Sequence, residues 1–278
     1  ISKKIGKYIP PQIHEGLFKG IYNAEIQTKR KKLTIFFSDI KNFTDTSEKL
    51  QPEDLTKYLN EYFSEMTNIA LKYGATIDKY IGDAMMLFFG DPNTKGERND
   101  ARACVEMSLE MQEKMTQLRS KWKDEGFYNP FEIRIGINTG YCNVGNFGSN
   151  QRLTYTIIGG EVNVAARLES IGHTGGILMS YETYAHVQDI VEVEEKDSVK
   201  MKGINREIKI FSVLNRKNGK NKTNKLFKKN NKEINSKVIK NSHESEIREI
   251  KNSLKTIQDK VEKLSNKIRD NNEKFQNK

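Results

Sequence analysis

Between residues 33 and 213, short apolar runs of strand length alternate with longer segments of helical periodicity, which limits the folds open to the chain. Apolar and β-branched runs predict strands at 33–37, 131–137, 153–158, 177–179 and 208–213, and a hairpin at 76–89 that turns at Gly82-Asp83. Helical spacing of apolar residues predicts helices at 53–72, 98–123 and 161–170. Because the elements alternate without a regular repeat, the pattern favours an α/β sandwich of helices on a mixed sheet.

Both ends of the chain differ from this central part. Pro10-Pro11 precede apolar residues at helical spacing, so residues 1–30 are predicted to be a lead-in containing a helix. Residues 215–244 are rich in Lys and Asn and hold too few apolar residues to fold alone, which predicts a disordered linker. Seven apolar residues between 247 and 268 then alternate at steps of three and four, which predicts a coiled coil over 245–275.

The net charge of +10 comes from this C-terminal tail, which has 19 Lys and Arg but 8 Asp and Glu from residue 215 onward. Clustered Lys beside an amphipathic helix can bind nucleic acid or an anionic membrane. The Lys and Asn composition equally fits a solvated linker, which we favour, so nucleic acid is not an expected partner.

Cysteine spacing and hydropathy indicate the cellular location of the chain. Cys104 and Cys142 lack disulfide or zinc spacing, which favours a reducing cytoplasm. No run approaches the roughly 18 apolar residues of a membrane span. The expected location is therefore cytoplasmic.

Two carboxylates occupy notable positions in this pattern. Asp39 ends the first predicted strand and Asp83 lies in the hairpin turn. Two carboxylates at neighbouring strand ends can hold a pair of divalent cations, the arrangement that supports phosphoryl transfer. An Asp in such a position more often serves only the turn, so the residues alone leave both interpretations open.

Five segments resemble, in the same order, the motifs of class III adenylate and guanylate cyclases. They are Phe36-Phe-Ser-Asp-Ile-Lys-Asn-Phe-Thr44, Asp78-Lys-Tyr-Ile-Gly-Asp83, Tyr155-Thr-Ile-Ile-Gly159, Val162-Asn-Val-Ala-Ala-Arg167 and Val199-Lys-Met-Lys-Gly203. The resemblance implies a catalytic domain over 31–214 with a ferredoxin-like α+β fold, in which helices flank a mixed, mostly antiparallel sheet. The lead-in with Tyr8-Ile-Pro-Pro11 resembles the segment before these domains in bacterial, often membrane-bound members, which implies an upstream sensor or membrane domain.

The same resemblance assigns the reaction and its metals. It implies an adenylate cyclase that converts ATP to 3′,5′-cyclic AMP and pyrophosphate with two divalent cations, Mg²⁺ or Mn²⁺. Asp39 and Asp83 would bind both cations, and the carbonyl of Ile40 would add a ligand to one. The backbone amides of Phe43 and Thr44, at the start of the first helix, would meet the triphosphate.

The resemblance also indicates the base that is read. Lys79 and Thr156 occupy the two base-reading positions, where an ammonium donates to adenine N1 and a hydroxyl accepts from the 6-amino group. Family members that use GTP have Glu at the first position and usually Cys at the second. Thr156 discriminates less firmly than the Asp of many adenylate-forming members, which leaves mixed specificity open. Lys202 is assigned to the polyphosphate, with Lys200 as a neighbouring alternative.

Asn163 and Arg167 are four residues apart and share one helix face. The resemblance implies that Asn163 orients the ribose and that Arg167 stabilises charge on the α-phosphoryl oxygens. Metals and base contacts come from different subunits in this family, so the resemblance implies a homodimer with two shared sites. Gly160-Glu161 departs from the family, which commonly has Asp-Thr there.

Four alternatives compete with an adenylate cyclase. Gly159-Gly-Glu161 resembles part of the diguanylate cyclase signature, but the following Val-Asn breaks it. No GxxxxGK[ST] segment occurs, which excludes a P-loop. A guanylate or mixed-specificity cyclase stays open, as does a non-catalytic nucleotide-binding dimer module, although neither metal Asp nor the Arg is missing.

Overall fold

The computed structural model describes residues 9–21, 25–200, 204 and 206–217. In these ranges the helices α1 to α6 are Pro11–Phe18, Phe43–Ser47, Pro52–Tyr73, Glu97–Asp124, Gly160–Ile171 and Tyr181–Val187. The strands β1 to β8 are Thr28–Ile40, Thr76–Ile81, Ala84–Phe89, Ile133–Ser149, Arg152–Ile158, Ile177–Ser180, Val191–Lys200 and Glu207–Arg216. The predicted coiled coil and Lys202 lie outside the described residues.

Within the described ranges, the strands form one sheet in the order β2-β3-β1-β4-β6-β8-β7, and β5 pairs with the C-terminal part of β4. The pair β4 and β6 is parallel, whereas the other pairs are antiparallel. The prediction of a mixed, mostly antiparallel sheet flanked by helices is therefore confirmed.

Side chains of β1 divide between two cores because successive residues of a strand point to opposite faces. Phe36 and Ile40 join the larger core, to which α3 and α4 contribute Met66 and Trp122. Leu33 and Ile35 join a smaller core on the other face. That second face also packs against α5, so Asp39 shares a face of β1 with the helix that carries Asn163 and Arg167.

The structure departs from the predicted elements in two ways. The strand predicted at 131–137 extends from Ile133 to Ser149, since its Gly- and Asn-rich second half pairs with both β1 and β5. The strand β7 and the short helix α6 were not predicted. Most residues of β7 are charged and exposed, and α6 spans two turns, so neither has a strong apolar period.

The lead-in helix is confirmed as α1, and Pro11 occupies its first turn, where a missing amide hydrogen costs nothing. No helix in the described part of the chain has the length and apolar character needed to cross a membrane.

Candidate active site

The hairpin turn between β2 and β3 brings Asp83 to the end of β1. Ile81 pairs with Ala84, so Gly82 and Asp83 form a two-residue turn, and Gly82 has a φ of 64° that favours glycine. The backbone amide of Ile40 donates a hydrogen bond of 3.1 Å to Asp83 Oδ2. The turn therefore fixes the Asp83 carboxylate beside the residue that follows Asp39.

The electrostatics of the two carboxylates fit a bound cation. Burial and the adjacent Asp39 carboxylate raise the pKa of Asp83 to about 7. Like charges held this close repel each other, and a divalent cation that binds both removes the repulsion. In the described residues no three His, Cys, Asp or Glu side chains form a metal-binding group. A cation bound by this pair would therefore need further oxygen ligands from the backbone, substrate or water.

Arg134 orients Asp39, and sequence reasoning missed it. Arg134 lies directly opposite Asp39 in the pairing of β1 and β4. Its Nη2 donates to Asp39 Oδ2 at 3.0 Å, its Nε lies 2.5 Å from Glu169 Oε1, and its Nη1 donates to the Ser170 carbonyl at 2.8 Å. One guanidinium thus joins the predicted metal ligand to α5.

The side chains of Lys79 and Thr156, the two predicted base-reading residues, contact each other. Lys79 lies on β2 and Thr156 on β5, and Lys79 Nζ donates to Thr156 Oγ1 at 3.2 Å. Asp78, whose side chain is fully buried, accepts from Thr156 Oγ1 at 2.6 Å and lies 3.1 Å from Lys79 Nζ. Asp78 opens the second cyclase-like segment, and its position there predicted no role for it.

Asn163 and Arg167 are exposed on α5, whose opposite face buries Val164, Ala165 and Leu168. Two carboxylates on α5, Glu169 and Glu161, could neutralise Arg167. Instead, Glu169 pairs with Arg134 and Glu161 pairs with Arg206. Across the described ranges Arg167 forms no ion pair, so its guanidinium remains available to an incoming group.

The remaining predicted residues lie on α2 or outside the described residues. Phe43 and Thr44 begin the five-residue helix α2, three residues after Ile40, and the Phe43 ring packs against Phe131. Lys202 lies outside the described residues, whereas Lys200 is the last, exposed residue of β7.

The departure at Gly160-Glu161 has a structural explanation. Glu161 Oε2 accepts from Asn138 Nδ2 at 2.8 Å and from Arg206 Nη2 at 2.8 Å. Glu161, at the start of α5, therefore satisfies the buried side-chain amide of Asn138 on β4.

Comparison with known proteins agrees with this geometry. The sequence profile described as "Adenylate and Guanylate cyclase catalytic domain" matches residues 26–215. The chain belongs to this family.

Three similar proteins illustrate the relationship. The chain is 30% identical over 210 residues to adenylate cyclase 1 of Rhizobium meliloti (strain 1021), covering 74% of this chain but 31% of that protein. The chain thus spans about a third of this curated relative. The crystal structure of the adenylyl cyclase CyaB from P. aeruginosa is 51% identical with a TM-score of 0.67, covering 69% of this chain and 98% of that one. The guanylyl cyclase Cya2 is 35% identical with a TM-score of 0.66, covering 70% and 98%.

Proposed function

We propose that this domain is an adenylate cyclase that converts ATP to 3′,5′-cyclic AMP and pyrophosphate. The observation that carries the proposal is the meeting of Lys79 with Thr156 in the same domain as the Asp39 and Asp83 carboxylates. The first pair can read adenine, and the second can hold divalent cations. Family membership supports both assignments.

The base pocket favours adenine through the direction of its hydrogen bonds. Lys79 has three donors and no acceptor, so it can donate to adenine N1 but opposes guanine, whose N1 carries hydrogen. Thr156 is 6% exposed, so water cannot supply a hydrogen bond to a polar group that is mismatched there. A buried donor facing a donor costs about 1 to 3 kcal/mol.

Asp39, Asp83 and the Ile40 carbonyl would hold two divalent cations, Mg²⁺ or Mn²⁺. When bound, such cations lower the pKa of the ribose 3′-hydroxyl and neutralise charge on the polyphosphate. Arg134 keeps the Asp39 carboxylate oriented through its 3.0 Å hydrogen bond. The 3′-hydroxyl would release its proton to water, its oxygen would form a bond to the α-phosphorus, and the bond from the α-phosphorus to pyrophosphate would break. Lys202 and the amides of α2 are assigned to the polyphosphate.

We further propose that two copies of the chain share each site. Arg167 and Asn163 are exposed on α5, and the arginine that contacts Asp39 within the same chain is Arg134 instead. Large apolar side chains beside the site are also exposed: Tyr80 by 45%, Ile81 by 52% and Ile158 by 51%. One half-site holds the carboxylates and the other holds Asn163 and Arg167. Exposed apolar surface beside them fits burial by a partner subunit. Arg167 from that partner would stabilise charge on the α-phosphoryl oxygens, worth roughly 3 to 4 kcal/mol.

A product assay with ATP and GTP in parallel tests the activity. We expect cyclic AMP to predominate, no product after chelation of divalent cations, and no product from Asp39→Ala. A predominance of cyclic GMP would refute the base assignment, and an active Asp39→Ala variant would refute the metal assignment.

Mixing two inactive variants tests the shared site. Asp39→Ala and Arg167→Ala chains each lack one half of every site, so each should be inactive alone. Random pairing makes half the dimers mixed with one intact site each, so activity should return to about a quarter of wild type. A mixture as inactive as its components would exclude sharing.

A guanylate cyclase is the second candidate, because Cya2 is 35% identical to this chain. Lys79 argues against it, and the parallel assay decides between them. A non-catalytic dimer module is disfavoured because Asp39, Asp83 and Arg167 are all present.

We also propose roles for the C-terminal segment and for a domain before the lead-in. A coiled coil over 245–275 would strengthen dimerisation, so deleting residues 245–278 should raise the protein concentration needed for activity. Unchanged sedimentation and specific activity after the deletion would exclude it. An upstream sensor or membrane domain is proposed from the lead-in alone.

A further inference from the structure

Asp78 contacts the side chains of both predicted base-reading residues, Lys79 and Thr156. Its Oδ2 accepts from the Thr156 hydroxyl at 2.6 Å and from the Ile157 amide at 3.3 Å, and its Oδ1 lies 3.1 Å from Lys79 Nζ. The Asp78 side chain is fully buried, whereas that of Lys79 is 41% exposed. Asp78 therefore contacts both predicted base-reading residues, while its own side chain is shielded from solvent.

We propose that Asp78 is a specificity-determining positioning residue, which takes the proton of the Thr156 hydroxyl and so makes that hydroxyl an acceptor toward the base. The inference rests on the proposed function, since it concerns the choice between ATP and GTP in the same pocket.

The hydroxyl of Thr156 has one proton and two lone pairs. The proton is directed at Asp78 Oδ2, and one lone pair accepts from Lys79 Nζ. One lone pair remains, which matches the 6-amino group of adenine, a donor. Guanine presents a carbonyl oxygen at the same position, and two acceptors would then face each other.

The contacts of Asp78 fit a carboxylate: Oδ2 accepts two hydrogen bonds, and Oδ1 lies within ion-pair distance of the Lys79 ammonium. The Ile157 amide and the Lys79 ammonium are donors without an acceptor, so a proton on Asp78 would find no partner at either of them. The pKa of Asp78 lies above its ordinary value, because burial outweighs the opposing hydrogen bond from Thr156 and the charge of Lys79. The donors around it thus direct the Thr156 proton inward.

Removal of Asp78 would free the Thr156 hydroxyl to rotate. A hydroxyl that is free to rotate donates to guanine O6 as readily as it accepts from the adenine amine. Selectivity is a ratio of kcat/KM values, so the loss of one directed hydrogen bond shows in that ratio. A purely structural role, in which Asp78 only ties β2 to β5, would lower both kcat/KM values by the same factor.

The test measures kcat/KM for ATP and for GTP in wild type, Asp78→Ala, Thr156→Val and the double variant. In Asp78→Ala we expect the ATP-to-GTP ratio to fall by about fivefold or more, the factor that corresponds to one mismatched hydrogen bond. In the Thr156→Val background, Asp78→Ala should change the ratio by less than about twofold, because no hydroxyl remains to be directed.

Two outcomes would overturn the inference: an unchanged ratio in Asp78→Ala, or the same fall in ratio with and without Thr156. Circular dichroism and thermal unfolding check that the variants fold. If Asp78→Ala does not fold, Asp78→Val fills more of the space with a strand-favouring side chain and tests the same ratio. A wild-type protein that forms no cyclic nucleotide refutes the proposed function instead, which separates the two failures.

Discussion

Gly136 lies where β4 packs closely against the α5 backbone, and a methyl group there should lower both stability and rate. A Cβ added at Gly136 would lie 2.2 Å from the Glu169 amide nitrogen and 2.3 Å from the Ala165 carbonyl oxygen. Ordinary contact begins at 3.4 Å, so Gly136→Ala must push the α5 backbone outward by about 1 Å. Asn163 and Arg167 move with it.

Both stability and rate should fall in this variant. Overpacking of this kind costs about 1 to 3 kcal/mol of folding free energy. A displacement of about 1 Å at the reacting groups can cost on the order of 100-fold in rate. We expect kcat to fall more than KM rises, because Lys79 and Thr156 lie on β2 and β5 rather than on α5.

The assay compares kcat for cyclic AMP formation at saturating ATP with the midpoint of thermal unfolding. Gly160→Ala is the matched control, since it adds the same methyl group to α5 itself and nothing lies within 4 Å of the new Cβ. Wild-type kcat and an unchanged unfolding temperature in Gly136→Ala would refute the reasoning.

Three further predictions follow from particular contacts. Arg134→Lys should lower kcat roughly 10- to 100-fold, because an ammonium cannot hold Asp39, the Glu169 carboxylate and the Ser170 carbonyl together. Cyclic AMP assays measure this change, and a wild-type kcat would contradict the prediction. Burial raises the pKa of Asp91, but hydrogen bonds from Lys31 and other partners outweigh it and leave the pKa below 3.8. The carboxylate therefore stabilises the fold above that pH and loses this effect as pH falls through the folded pKa. Asp91→Asn should lower the unfolding temperature at pH 6, and the gap from wild type should narrow as pH falls below 3.8; a gap independent of pH would contradict the ion-pair explanation. Leu87→Ala should cost about 2 to 5 kcal/mol in denaturant unfolding, since the side chain is fully buried; a cost under 1 kcal/mol would show that the core relaxes around it.

Local periodicity was sufficient to predict a helix or strand where that element buries one face along its length. The helices α3 and α4 and the hairpin of β2 and β3 follow predicted spans within a few residues, because their apolar spacing matches a helix or a strand. The motifs likewise identified Lys79 and Thr156, which the structure brings together. The strand β7 lacks such a period, and its pairing with β8 is what makes it a strand.

The contacts that complete the site depended on tertiary structure. Arg134 meets Asp39 through the register of β1 with β4, across 95 residues of sequence, and Asp78 meets Thr156 across 78 residues. Periodicity reports which face a residue occupies but not which distant residue lies opposite it. The amino-acid sequence by itself determined the main elements, the family motifs and the candidate carboxylates and base readers. Only the folded chain decided which side chains orient them, because hydrogen-bond direction and close backbone approach depend on distances between separate strands and helices.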